Sequence, residues 1–155
     1  MEKLLNKKAP NFSLPDQKGE IHELSDYKGK WLLIYFYPRD NTPGCTKEAC
    51  GIRDSFPNFG KLNAKVLGVS KDSIESHKKF AEKFKLPFTL LSDERKEMLK
   101  AYVVWKKKKF MGREFMGIVR SSVLVNPQGK IVKIYKTVKP PEHANEVLED
   151  LKLLQ

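Results

Sequence analysis

Cysteine is nearly absent. The chain has 155 residues and only two cysteines, Cys45 and Cys50. So few exclude a disulfide-stapled scaffold, and a chain this long buries a core without staples. Histidine is scarce as well. His22, His77 and His143 stand at no spacing typical of metal ligands. A structural metal centre needs about four ligands, so we expect no metal. Only five of the thirty basic residues are arginine. Long apolar runs are missing too. The longest, Trp31-Leu32-Leu33-Ile34-Tyr35-Phe36-Tyr37, falls far short of the roughly 20 residues a membrane helix needs. The first ten residues, MEKLLNKKAP, are charged and lack the apolar stretch of a signal peptide. These absences lead us to expect no membrane span and no membrane partner, no targeting segment, a cytoplasmic setting and one domain over residues 1–155.

Positive charge is abundant. The net charge is +11, mostly from lysine. A solvated, charge-rich surface accounts for this, and Lys and Glu enrichment of that kind is common in thermophiles. A face for polyanions, centred on Lys106-Lys107-Lys108-Lys109, is the sharper alternative. Aromatic residues interleave with basic ones only between Trp105 and Phe110, so nucleic acid is not the expected partner.

Residues 1 to 30 read as loops and short strands, with a turn at Asp16-Gln17-Lys18-Gly19. The run from Trp31 to Tyr37 suits a strand covered on both faces. Val66 to Ser70 and Phe88 to Leu91 are further strand candidates. Ile74, His77, Phe80, Ala81 and Phe84 recur at helical spacing, with Asp72 or Ser73 as cap and Pro87 beyond the end. Asp93 to Tyr102 predicts a short helix. Ser121 to Val125 and Ile131 to Tyr135 flank Asn126-Pro127-Gln128-Gly129, which is hairpin chemistry. A final helix is expected from about Glu142 to Leu154. Alternating strands and helices imply parallel pairing, and the hairpin adds antiparallel strands. The expected fold is α/β, three layers (α/β/α) around a central mixed sheet.

Both cysteines fall in Pro38-Arg39-Asp40-Asn41-Thr42-Pro43-Gly44-Cys45-Thr46-Lys47-Glu48-Ala49-Cys50. Thr42 followed by Pro43 predicts a helix start, with threonine as N-cap and proline at the first helical position. We expect that helix to be interrupted at Pro57. Cys45 lies in its first turn, where the uncapped amides and the positive dipole end favour an anion, and so a reactive thiolate presented near the surface. Cys50 lies five residues on. On an ideal helix their Cα atoms stand about 8.7 Å apart and their side chains point about 140° apart. A disulfide needs Cα atoms within about 7 Å. Bonding therefore requires the first turns to unwind. A thiolate that reacts first, and a second thiol that arrives only after unfolding, suit oxidation through a sulfenic acid. A buried, inert cysteine pair is the plainer alternative, and the residues by themselves leave it open. Two other classes compete: a basic binding module, and a protein disulfide oxidoreductase, against which the Cys-x-x-x-x-Cys spacing argues.

The motif resembles the active-site signature of the peroxiredoxins, Pro-x-x-x-Thr-x-x-Cys. Thr-Pro-Gly-Cys-Thr-x-Glu-Ala-Cys is similar to their bacterioferritin-comigratory, or PrxQ, branch. The likeness runs through Ala9 to Leu14, Val66 to Asp72, Leu86 to Asp93 and Ile118 to Val125. It implies a thioredoxin-like fold and a thiol peroxidase that uses no metal or other cofactor. By resemblance Cys45 is the peroxidatic cysteine and Cys50 the resolving one, joined as an intramolecular disulfide. Thr42 would hydrogen-bond thiolate and peroxide, Pro38 would shield the thiolate, Arg120 would stabilise it, and Glu48 would orient Arg120. The implied partners are hydrogen peroxide or an organic hydroperoxide, and a thioredoxin-like or other dithiol reductant. A resolving cysteine in the same chain makes a monomer the expected state. Two departures stand out. Pro57 lies where the family helix continues. The lysine-rich stretch after Trp105 is either a donor-docking surface or a solvated loop.

Overall fold

The apolar run at Trp31 becomes the middle of a sheet. In the computed structural model, which describes residues 1–155, β3 (Trp31–Phe36) lies at the centre of a five-stranded sheet ordered β5-β4-β3-β8-β9. β4 (Ala64–Ser70) and β5 (Thr89–Ser92) run parallel to β3. β8 (Ser121–Val125) and β9 (Ile131–Tyr135) form the expected hairpin, and β8 pairs antiparallel with β3. The sheet is mixed, as expected. Side chains alternate across it, so Leu33, Tyr35 and Tyr37 face one layer while Leu32, Ile34 and Phe36 face the other. Both sets are buried, which is why β3 shows no polar alternation.

The first layer holds α1 (Pro43–Lys61), α2 (Ile74–Phe84) and α4 (His143–Leu154). The second holds α3 (Glu97–Ala101) and the N-terminal segment around Ala9 and Phe12. A small hairpin of β1 (Ser13–Pro15) and β2 (Ile21–Glu23) precedes β3. Ser73 caps α2 by accepting from the Ser76 amide, and Lys85 ends it in the left-handed conformation.

The structure corrects two expectations. α1 does not break at Pro57 but continues to Lys61. Proline inside a helix costs about 3 kcal/mol through a lost hydrogen bond and a clash one turn back. Ile52 and Phe59, on either side of Pro57, are fully buried. Burial of two such side chains contributes about 3–6 kcal/mol, enough to offset the proline. The second correction concerns Trp105 to Phe110. This is no loop but strand β6 (Trp105–Phe110), paired antiparallel with β7 (Arg113–Ile118) across a tight turn. Met111 and Gly112 make that turn with φ of 52° and 79°. A two-residue turn with both φ positive fits the right-handed twist of its strands, which is how a lysine-rich stretch of weak strand propensity becomes a ribbon.

Candidate active site

The parallel strands β3 and β4 end at one edge of the sheet, and open α/β folds gather their sites at that edge. An antiparallel neighbour begins where a parallel strand ends. Phe36, the last residue of β3, faces Ser121, the first of β8. Arg120 is thereby delivered to the mouth of the β3–α1 loop although it lies 75 residues beyond Cys45.

Its guanidinium bridges two groups of α1. One nitrogen donates to Glu48 Oε1 at 2.6 Å and the other to Cys45 Sγ at 3.2 Å. A planar guanidinium has donors for both at once, whereas an ammonium is a point charge. Gly44 makes room for it, since a Cβ there would stand 3.0 Å from Arg120 Nη2. Glu48 is completely buried, and its second oxygen, Oε2, has no partner. Burial pushes its carboxyl up to about 7, against the opposing pull of Arg120. For Arg120, partial burial works downward, yet Cys45 and Glu48 together hold the guanidinium above its ordinary value.

Cys45 corrects another expectation. It is in the first turn of α1 as foreseen, but it is 1% exposed rather than presented at the surface. Thr42 occupies the N-cap position without capping through its side chain. Its hydroxyl donates instead to the Arg39 carbonyl at 2.9 Å. The amides of Gly44 and Cys45 have no acceptor four residues back and gain none from Thr42, so the helix end keeps its affinity for an anion. Pro38 sits half-buried just past β3. Cys50 is half-buried on the intact helix, and both cysteines are free thiols. The structure thus joins Cys45, Glu48 and Arg120 by direct contact and leaves Cys50 one and a half turns away along α1.

Sequence reasoning missed a second layer. Asp40, in the loop before α1, is buried and accepts from Tyr37 Oη at 2.5 Å and from Ser76 Oγ at 2.8 Å. His77 Nδ1 lies 2.7 Å from the same carboxylate, and its Nε2 lies 2.9 Å from the Leu91 carbonyl. The Asp40 amide donates to Asp72 Oδ2 at 2.8 Å. These bonds tie the loop that carries Pro38 and Thr42 to α2 and β5. The one visible signal was His77, a polar residue on the apolar face of α2. Ligand atoms of Asp40, Asp72 and His77 lie within 4.8 Å of one another, but each is engaged in these hydrogen bonds.

The chain is similar to known proteins. Residues 5–134 match the AhpC/TSA family. The chain is 49% identical over 148 residues to peroxiredoxin Bcp of Bacillus subtilis, covering 96% of this chain and 94% of that one. It is 46% identical to peroxiredoxin Bcp of Escherichia coli, covering 93% and 92%. Among solved structures, the bacterioferritin comigratory protein of Xanthomonas campestris superposes with a TM-score of 0.88 at 40% identity, covering 92% and 91%. No helix is long and apolar enough to cross a membrane. The mixed, thioredoxin-like sheet agrees with these matches: the chain belongs to the AhpC/TSA family and, within it, to the Bcp and PrxQ peroxiredoxins, thiol peroxidases that act on peroxide with a thiol reductant.

Proposed function

We propose that Cys45 is the peroxidatic nucleophile, Cys50 its resolving partner, and Arg120 the cation that serves both ground and transition state. The observation that carries this reading is the Arg120 bridge, with Nη2 3.2 Å from Cys45 Sγ and Nη1 2.6 Å from Glu48 Oε1. The Cys45 thiolate attacks one peroxide oxygen, the O–O bond breaks, and the electron pair leaves on the other oxygen. That oxygen takes up a proton and departs as water or an alcohol, leaving Cys45 as the sulfenic acid. Charge grows on the leaving oxygen during this step. A fixed guanidinium and the first amides of α1 lower the barrier by meeting it there. Thr42 has its one hydroxyl proton engaged by Arg39, so it receives a hydrogen bond from the peroxide O–H. Pro38 walls the pocket from water. Glu48 holds Arg120 from behind.

The first turns of α1 then unwind. The Cys50 thiol attacks the Cys45 sulfenic acid, water leaves, and an intramolecular disulfide remains. A thioredoxin-like dithiol supplies two electrons and two protons, is itself oxidised to a disulfide, and resets both thiols. The substrates are hydrogen peroxide and organic hydroperoxides. The Xanthomonas relative has alkyl peroxide reduction activity, which supports the second class. The chain works in the cytoplasm as a monomer and as one domain over residues 1–155. Thiol counting tests the cycle. One equivalent of hydrogen peroxide should remove two thiols per chain without an intermolecular crosslink. Cys45→Ser should abolish consumption, and Cys50→Ser should allow one turnover and no disulfide. Undiminished consumption by Cys45→Ser would overturn the assignment.

A further inference from the structure

The β6–β7 ribbon takes no part in the chemistry above. It is not hydrogen-bonded to the central sheet, and its apex is apolar. Phe110 is 68% exposed and Met111 88%, while Phe115 and Met116 are each about half exposed. Between Trp105 and Ile118 the chain carries five basic residues against one acidic. We infer that this ribbon is a membrane-docking finger, which dips its Phe110–Met111 apex into the interface of an anionic lipid bilayer while the surrounding lysines meet the headgroup phosphates.

Three observations favour a bilayer over other occupants. First, successive strand residues point to opposite faces. Lys106 and Lys108 therefore share one face of β6, and Lys107 and Lys109 the other. A protein partner docks on one face, whereas a headgroup layer surrounds the ribbon and meets both. Second, the ribbon's most exposed apolar residues, Phe110 and Met111, sit at its tip, beyond the lysines. Lys109 adjoins Phe110, and Lys106 lies about 14 Å back from it along an extended strand. An apex in the interface thus leaves cations at headgroup depth, where each is drawn to anionic lipid. Third, a second copy would bring five basic residues against five, and like charges oppose that contact. Not every cation is free. Lys107 pairs with Glu114 at 3.3 Å and Lys108 donates to the Ile118 carbonyl at 2.9 Å, which leaves Lys106, Lys109 and Arg113 as the principal contacts. The ribbon is followed directly by Val119 and Arg120. Phe110 pairs with Arg113, seven residues before Arg120, so docking would hold the site about 25 Å from the bilayer.

The test uses the full chain and vesicles of phosphatidylglycerol mixed with phosphatidylcholine. Sedimentation should show binding to these and little to phosphatidylcholine alone. F110S/M111S, which keeps every charge, should weaken vesicle binding at least about tenfold, and K106Q/K109Q by a similar factor. F110W should shift its added indole emission to the blue on vesicles and be quenched by acyl-chain bromine. Hydrogen peroxide turnover should be unchanged in all three. Failure to bind anionic vesicles overturns the inference. So does binding that F110S/M111S leaves intact, which would mean bulk charge alone. Binding to duplex DNA that is lost with the lysines and not with the tip would assign the ribbon to nucleic acid instead.

Discussion

Gly44 and Arg120 share a space that only a missing side chain allows. A Cβ on Gly44 would stand 3.0 Å from Arg120 Nη2, the nitrogen that donates to Cys45 Sγ. The guanidinium cannot give way freely, because its other nitrogen is held by Glu48 at 2.6 Å. Gly44→Ala should therefore lower kcat/KM for hydrogen peroxide about tenfold, which is a loss of about 1.4 kcal/mol of transition-state stabilisation. Stability should not fall, since alanine in a helix exceeds glycine by up to about 1 kcal/mol. Stopped-flow peroxide reduction beside urea unfolding separates the two effects. An unchanged rate would mean that this contact does not set the barrier.

Arg120 and Glu48 carry separable contributions. Arg120→Lys keeps a charge but not the fork, so peroxide reduction should fall about a hundredfold. Arg120→Met leaves a buried carboxyl without its cation and should cost about 2–3 kcal/mol of stability, less than a fully buried pair because Glu48 can take up a proton. Adding Glu48→Gln to Arg120→Met should recover most of the stability and none of the turnover. Recovery of turnover would place the transition-state cation elsewhere.

Glu48 also links stability to pH. Burial raises its carboxyl from an ordinary 4.5 to about 7, so the folded chain holds that proton more tightly than the unfolded chain. The stability this contributes is complete below about 4.5 and is lost as pH rises through about 7. The urea midpoint of the wild type should therefore decline relative to Glu48→Gln between pH 5 and 8. A constant difference across this window would mean that Glu48 keeps one protonation state throughout.

Asp40 holds the loop from below. Its carboxylate accepts from Tyr37, Ser76 and His77, so an asparagine must turn its NH2 toward at least one donor. Asp40→Asn should cost about 2–3 kcal/mol and slow peroxide reduction several-fold, as Pro38 and Thr42 lose their fixed support. Full activity in a destabilised Asp40→Asn protein would limit the network to folding.

Pro57 offers a stabilising change. Proline has no N–H for the Arg53 carbonyl, and alanine restores that bond without altering the buried face of α1. Pro57→Ala should raise the stability of the reduced protein by about 1–3 kcal/mol. Pro57 lies two turns beyond Cys50, outside the segment that must unwind. Disulfide formation after a peroxide pulse should thus change by less than about twofold. A much slower step would mean that unwinding extends through the whole helix.

Much of this protein is written locally. Pro43 set the start of α1, the apolar period set α2 and α4, and Asn126-Pro127-Gln128-Gly129 set the β8–β9 turn, because proline's fixed φ, apolar period and turn chemistry act over a few residues. The two cysteines and their spacing likewise announced a helix that must open before they can bond. Other features depended on the assembled chain. The length of α1 is not legible in the sequence, because the burial of Ile52 and Phe59, which outweighs Pro57, exists only once the sheet is beneath them. The lysine-rich ribbon was hidden because its strands are joined by a backbone turn rather than by an apolar pattern. Arg120 could be paired with Cys45 only by resemblance to other proteins, since 75 residues separate them. What brings them together is the register of β8 on β3, Phe36 opposite Ser121, a pairing set by the order of the whole sheet.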